Sequence, residues 1–290
     1  MENKNRRYMT TKEKKKMHSI FRALIQVLYF CFLPSAYTAA FSGVKYIFTK
    51  IGAGEQIELT SFVSVLIVLC VYTMIFGRFF CGFACAFGSL GDGLHALYIA
   101  ICKKLKKKPA QISKLVAGYL SCLKYIILTG IVILCFAGVY SGLQGTSPWD
   151  VFSLLHVGNF QLGNYIPGVV ILMILMVGMC VQERFFCRFF CPMGAVFSLL
   201  PVLPLFSLRR DREACIKNCS ACTRKCPSDI ELPEKGSPEI KGDCFQCQKC
   251  IDTCPKSNIH CGITKLKGNE IWFTILRAVL LLGLLLWLGV

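Results

Sequence analysis

Arg78-Phe-Phe-Cys81-Gly-Phe-Ala-Cys85-Ala-Phe-Gly88 and Arg184-Phe-Phe-Cys187-Arg-Phe-Phe-Cys191-Pro-Met-Gly194 share seven of eleven positions at an offset of 106 residues. Each copy closes an uncharged apolar run, about 59–77 in the first case and 165–181 in the second. The chain therefore reads as a duplicated unit of two spans followed by a CxxxC segment. Parallel repeats of this kind imply a pseudo-twofold axis along the membrane normal, with the corresponding motifs brought together at one face.

Three further apolar stretches, about 23–44, 118–140 and 271–290, approach the roughly 20 residues that cross about 30 Å of hydrocarbon. Lys124 and Arg277 each lie near one end of such a stretch, where a long side chain snorkels to the interface. Composition agrees with a membrane protein. The 290 residues are 54% hydrophobic and 17% charged, against about 25% charged in soluble domains, which argues against a soluble enzyme. Lys and Arg (33) outnumber Asp and Glu (16) for a formal charge of +17, yet the cations fall in short blocks beside apolar runs. That pattern writes membrane topology, and no nucleic-acid partner is expected.

The basic blocks also give direction. Lys4, Arg6, Arg7, Lys12, Lys14, Lys15 and Lys16 precede the first span, and Lys103, Lys104, Lys106, Lys107, Lys108 and Lys114 lie between the second and third; 141–164 has no Lys or Arg. The basic side is expected to be cytoplasmic, giving a multi-pass protein of the bacterial inner (cytoplasmic) membrane with 182–270 in the cytoplasm. A signal peptide is the competing reading of 1–40, disfavoured because the apolar run is long for one. The apolar stretches 83–102 and 189–208 must start and finish on one side and are expected to be interfacial or re-entrant, with Gly88, Gly91 and Gly93, and Pro201 and Pro204, interrupting regular helix.

Between 209 and 270 the composition turns polar and two cysteine runs appear. Cys244-x2-Cys247-x2-Cys250-x3-Cys254-Pro255 has the bacterial ferredoxin spacing for a [4Fe–4S] cluster, in which three thiolates hold one cubane and the fourth reaches the partner cluster. A zinc ribbon would show two separated CxxC pairs. Cys215-x3-Cys219-x2-Cys222-x3-Cys226-Pro227 is one residue longer at its first gap. By the crossover rule, one cluster takes Cys215, Cys219, Cys222 and Cys254, and the other Cys244, Cys247, Cys250 and Cys226. Should Cys215 fail to reach, the first site keeps three thiolates, as in a [3Fe–4S] cluster. Cys261 reads as a bystander thiol, and so unit 209–270 draws much of its folding energy from its metal centres.

Cys81 and Cys85, and Cys187 and Cys191, have i, i+4 spacing, which on a helix sets both sulfurs on one face. Packed about the pseudo-twofold axis, the four would converge as a soft site for a further metal or iron–sulfur centre; the alternative is tight apolar packing. Cys31, Cys70, Cys102, Cys122, Cys135 and Cys180 read as packing residues of the bundle. The four histidines, His18, His95, His156 and His260, stand outside the middle of any span, so no haem is expected. Trp149 reads as an interfacial anchor or as a contact for a quinone or partner, and the Lys103–Lys108 block as a topology signal touching anionic lipid.

The expected fold is thus an α-helical membrane protein of about five transmembrane helices in a duplicated two-span repeat, with a small α+β two-cluster bacterial-ferredoxin-like domain. Its segments are a basic N-terminus (1–19), membrane repeat 1 with CxxxC (20–102), a basic cytoplasmic loop (103–117), membrane repeat 2 with CxxxCP (118–208), the cytoplasmic two-cluster domain (209–270) and a C-terminal helix (271–290). These features resemble the NapH/NosR-type membrane polyferredoxins, the 4Fe–4S-binding quinol dehydrogenase membrane components, over almost the whole chain. Pro192 satisfies the family's CxxxCP motif, and Ala86 stands in place of that proline in the first copy. The length leaves no room for the extracytoplasmic flavin domain of NosR-type members. The resemblance implies an electron-transfer subunit exchanging electrons between the quinone pool or its own clusters and a redox partner, such as an extracytoplasmic flavoprotein or another iron–sulfur subunit. The alternative is a membrane copper reductase, or a maturation or sensing factor for a respiratory enzyme, with the paired thiols as a transient copper site.

Overall fold

The computed structural model describes residues 11–110, 112–143, 145–160, 163–203, 206–233, 235–239, 242–261 and 270–290. Lys4, Arg6 and Arg7 of the basic N-terminus, and Pro204, lie outside the described residues. The apolar stretch 23–44 is not one helix. It is divided between α1 (Thr11–Phe32) and α2 (Ala36–Ala53), which meet at 62°. Pro34 stands at the break, where a proline removes a backbone donor and crowds the preceding turn. The bend buries Leu33, Ala36 and Tyr37, so the first membrane element delivers Tyr37 into the core.

α3 (Ser61–Phe76) is apolar but 16 residues long, and begins where the Thr60 hydroxyl accepts from the Val63 amide. Among the described residues, three helical segments are long and apolar enough to cross a bilayer: Lys114–Phe136, made of α5 (Lys114–Leu120) and α6 (Leu123–Phe136); Gly163–Val181, containing α8 (Ile166–Val181); and α12 (Glu270–Trp287). The bent α1–α2 pair would make a fourth. Their outward faces are apolar: Val170, Ile174 and Val177 of α8 are exposed, as are Ile126 and Ile133 of α6 and Leu276 and Val279 of α12. A belt of this kind suits a hydrocarbon solvent. A short α7 (Pro148–His156) starts with the Ser147 hydroxyl capping Asp150 and Pro148 in its first turn.

α4 (Ala86–Lys104) runs unbroken through Gly88, Gly91 and Gly93, so the expected interruption there is absent. Gly91 sits against Met179 of α8, and the glycines open room for close packing without breaking the ladder. In the second copy, α9 (Pro192–Leu199) stops before Pro201, as expected. Arg277 and Lys124 do not snorkel. Arg277 is fully buried with its guanidinium 4.7 Å from the Phe79 ring centroid, and Lys124 is buried against Asp243 at 2.5 Å.

Past α9 the chain builds a small α+β unit. β1 (Leu208–Asp211) lies between β2 (Lys235–Pro238) and β3 (Ile259–Cys261), antiparallel to both, with short helices α10 (Ala221–Arg224) and α11 (Lys249–Thr253) alongside. The unit is tied to the membrane helices by ion pairs: Lys249 with Asp92 and Glu183, Asp252 with His18 and Arg22, Asp243 with Lys124, and Asp229 with Arg188.

Candidate iron–sulfur and thiol centres

The loop from Cys244 to Cys250 is wound tightly. Gln246 and Gln248 adopt left-handed backbone conformations, at φ 52° and 61°, a cost of the kind tolerated where a site must be held in one shape. The loop places Cys244 and Cys247 in the interior. One cavity is lined by Cys222, Cys226, Cys244, Cys247 and Cys250. Burial pushes the Cys226 thiol up to about 11, and those of Cys244 and Cys250 well above the usual thiol range. Loading a metal centre therefore releases protons. By contrast, Asp243 beside this loop stays below the ordinary carboxylate range: burial raises it, but Lys124, Arg78 and Arg188 outweigh burial.

A cysteine of the longer first run and one of the second share one asparagine. Asn258 donates its backbone N–H to Cys254 Sγ at 3.3 Å and its side-chain amide to Cys215 Sγ at 3.6 Å, while Arg210 donates to Cys222 Sγ at 3.4 Å. Asn258 thus contacts both Cys215 and Cys254. Among the described residues, no three His, Cys, Asp or Glu side chains stand as close as a single metal ion requires. All-thiol donor sets around a shared cavity, with N–H groups directed at the sulfurs, suit polynuclear clusters instead. Cys261 has other company: it donates to the Phe206 carbonyl at 3.0 Å and accepts from Arg277 at 3.4 Å.

Cys81, Cys85, Cys187 and Cys191 converge, but not on a regular helical face. The segments Phe80–Ala84 and Phe186–Phe190 are π-helical, closed by Cys85 N–H to Phe80 O at 2.8 Å and Cys191 N–H to Phe186 O at 2.9 Å. Each wide turn ends on an extended cysteine that caps the next helix, α4 or α9. Ala86 and Pro192 both occupy the first position of those helices, so loss of the proline leaves the motif's geometry intact. Cys85 and Cys187 interact across the two copies, Cys191 accepts from Gly194 N–H at 3.1 Å, and all four thiols are buried. Tyr37 lies 3.7 Å from Cys191 Sγ.

Two arginines frame this quartet, and sequence reading passed over both although they are identical between the copies. Arg184 donates to the carbonyls of Cys81 and Gly82 and pairs with Asp92 at 2.6 Å. Arg78 lies against Gly194, donates to Gly242 O at 3.2 Å and stands 3.7 Å from Asp243; its buried Nε and Nη2 make no hydrogen bond to nitrogen or oxygen, and the Cys81 thiol is beside it. Unsatisfied buried cationic donors are costly. Beside four thiols they mark a place suited to negative charge, which fits a thiolate-held centre. Phe245, between Cys244 and Cys247, puts its ring 4.7 Å from the Arg78 guanidinium and 5.5 Å from that of Arg184. Its backbone carbonyl packs on Gly82, where an added Cβ would come within 2.4 Å. The Cys244–Cys250 loop of the α+β unit is thereby inserted between the two motifs. Nothing in the sequence signalled Phe245 or Tyr37.

Of the remaining thiols, Cys102 and Cys135 are buried, whereas Cys31 and Cys122 are exposed and do not pack in the bundle. Trp149 is buried, edge-on to Phe41 at 5.0 Å and to Tyr37 at 6.5 Å, and is no interfacial anchor.

A family described as a 4Fe–4S binding domain matches residues 59–109 and 166–210, the two segments that contain the CxxxC motifs. An uncharacterised protein of Methanocaldococcus jannaschii is 30% identical over 82% of this chain and 92% of its own length. The putative electron transport protein YccM of Escherichia coli is 23% identical over 76% of this chain and 62% of its own. The ferredoxin-type protein NapH of Haemophilus influenzae is 25% identical over 68% and 66%. No solved structure matches the chain.

Proposed function

The chain belongs to the NapH/NosR-type membrane polyferredoxins, and from that premise we propose that it carries electrons between two clusters in unit 209–270 and a thiol-held centre at the membrane edge. As an iron–sulfur electron-transfer protein of the membrane it accords with its ferredoxin-type relatives. Cys215, Cys219, Cys222 and Cys254 would hold one [4Fe–4S] cluster, and Cys226, Cys244, Cys247 and Cys250 the other. Cys81, Cys85, Cys187 and Cys191 would hold a further centre. When bound, such clusters accept and release single electrons.

The chain's own residues do the rest. Insertion of Phe245 between Arg78 and Arg184 is the observation that carries the reading, because it shuts water out of the seam between Cys247 and the quartet and fixes their separation. Arg78 supplies positive charge where the quartet would hold negative charge. Burial of all four thiols favours a resident centre over a transient copper site. A groove of about 520 Å³ between α1 and α4, walled by Val27, Phe30, Leu90, Leu94 and Leu97 and ending at Arg22, Gln26, Asp92 and Lys249, suits a quinone ring and tail. Oxidation of a quinol there would yield the quinone, two electrons and two protons. The crossings in this reading are five: the α1–α2 pair, α3, α5–α6, α8 and α12, with the cysteine unit in the cytoplasm and a redox partner outside.

The test is iron and acid-labile sulfide per polypeptide after anaerobic purification, with and without Cys81, Cys85, Cys187 and Cys191 replaced by Ser. The expected result is more than about eight irons in the parent and about eight, for two cubanes, in the variant. Equal content would remove the membrane-edge centre, and an iron-free parent the whole reading. Menaquinol should reduce the clusters promptly by EPR, with no requirement for copper.

A further inference from the structure

A second cleft, of about 780 Å³, opens between Pro109, Ala110, Ile112 and Lys114 on one side and Arg224, Lys225 and Asp229 on the other, with Asp92, His95, Gln182 and Glu183 in its wall. Cys226 is part of its lining. The acidic side chains of this cleft are engaged by internal cations: Asp92 with Arg184 and Lys249, Glu183 with Lys249, and Asp229 with Arg188. The cations at its mouth are not so engaged. Lys114, Arg224 and Lys225 of the lining are exposed, as are Lys106, Lys107 and Lys108 immediately before Pro109 in the chain, and no described acidic side chain pairs with them. The rim is therefore strongly positive around a half-buried thiol of the proposed cluster. Topology accounts for the lysines at the foot of α4, but not for Arg224 and Lys225, which belong to the cysteine unit and line the same cleft.

We propose that this cleft is the docking site of a small acidic protein that carries one electron at a time and exchanges it with the centre held by Cys226. The proposal rests on the reading of Cys226, Cys244, Cys247 and Cys250 as cluster ligands. In the exchange the carrier loses one electron and the centre gains it, or the reverse; no bond forms or breaks and no proton is transferred. A nicotinamide nucleotide fits the charge but not the chemistry. It delivers a hydride, two electrons together, and needs an intermediary that splits them. An acidic carrier meets a basic rim with favourable steering and a rate that falls with salt.

The full-length protein, loaded anaerobically and held in nanodiscs of uncharged lipid, is titrated with a small acidic two-cluster ferredoxin, and both Kd and the rate of cluster reduction are read. The expected result is a Kd that weakens at least tenfold between about 50 and about 300 mM salt, as screening of exposed charges requires. K106E/K107E/K108E should weaken binding at least tenfold at low salt, with iron content and reduction by photoreduced deazaflavin unchanged. R224E/K225E tests the other wall in the same way, and because it flanks two ligands its iron is counted first. Lysine-variant binding equal to the parent's, or salt-independent binding, overturns the proposal. So does a lysine variant that loses only its retention on anionic vesicles, which would assign the block to lipid headgroups, and so does direct cluster reduction by NADPH. A parent lacking iron would instead sink the cluster reading beneath it.

Discussion

Arg78 and Arg184 occupy the same place in the two motifs yet are held differently. Arg184 is satisfied by two carbonyls and Asp92, whereas Arg78 keeps two unpartnered donors beside the thiols. Arg184→Met would leave Asp92 buried with Lys249 and an emptied guanidinium site. Breaking a buried pair costs about 3–5 kcal/mol, so the expected outcome is a large fall in thermal stability in detergent. Arg78→Met removes two unpartnered donors along with the Gly242 hydrogen bond, and Asp243 keeps Lys124, so it should fold, but it should lower the midpoint potential of the proposed membrane-edge centre. A charge effect of about 1.4 kcal/mol corresponds to about 59 mV for one electron, and Arg78→Lys should restore most of it. Redox titration followed by EPR checks both. An unchanged potential in Arg78→Met would show that the arginine is structural.

At the scale of elements, the π-helical turns and the glycines beside them set the docking of the cysteine unit. A π-turn widens the backbone by one residue and is found disproportionately at functional sites. Here it turns each motif so that its second cysteine opens a new helix. Gly82 lies under the Phe245 carbonyl. Gly82→Ala should displace the ligand loop at a cost of about 1–3 kcal/mol, typical of overpacking, seen as faster proteolysis within 209–261 at unchanged α-helix content. Gly93, on α4 with open space around its Cα, is the control: Gly93→Ala should be neutral or stabilise by up to about 1 kcal/mol, the helix-propensity gain.

The whole molecule divides by the source of its stability. The membrane helices share a continuous core that includes Phe41, Phe87, Phe186 and Phe197, to which the cysteine unit adds Phe245 and Cys247. The cysteine unit has a small separate core of Leu208, Leu232 and Ile259 with Cys222, Cys244, Cys254 and Cys261. With so little aliphatic packing, its fold depends on what the thiols bind. Removal of iron by chelation under oxidising conditions should therefore open 209–261 to protease while far-UV circular dichroism keeps most of its helical signal. Cooperative loss of both units would show that the ion pairs at the seam, rather than the metal, hold the smaller one.

Much of this was legible beforehand because it is written in local patterns. Apolar run length and cysteine spacing point to the membrane class and to iron–sulfur chemistry within short windows of chain. The 165–181 run and the 271–290 run needed little adjustment, since an uninterrupted apolar helix has few alternatives in lipid. The break at Pro34, the π-turns, the burial of Lys124 and Arg277 and the insertion of Phe245 belong to tertiary structure. Each depends on what another part of the chain, distant in sequence, presents across the contact: Asp243 for Lys124, Phe79 for Arg277, the two arginines for Phe245. Residue type and spacing fixed which atoms are available for chemistry. Only packing decided that the two motifs and the ligand loop share one buried seam, because burial and charge pairing are properties of three-dimensional neighbours that no single stretch of sequence contains.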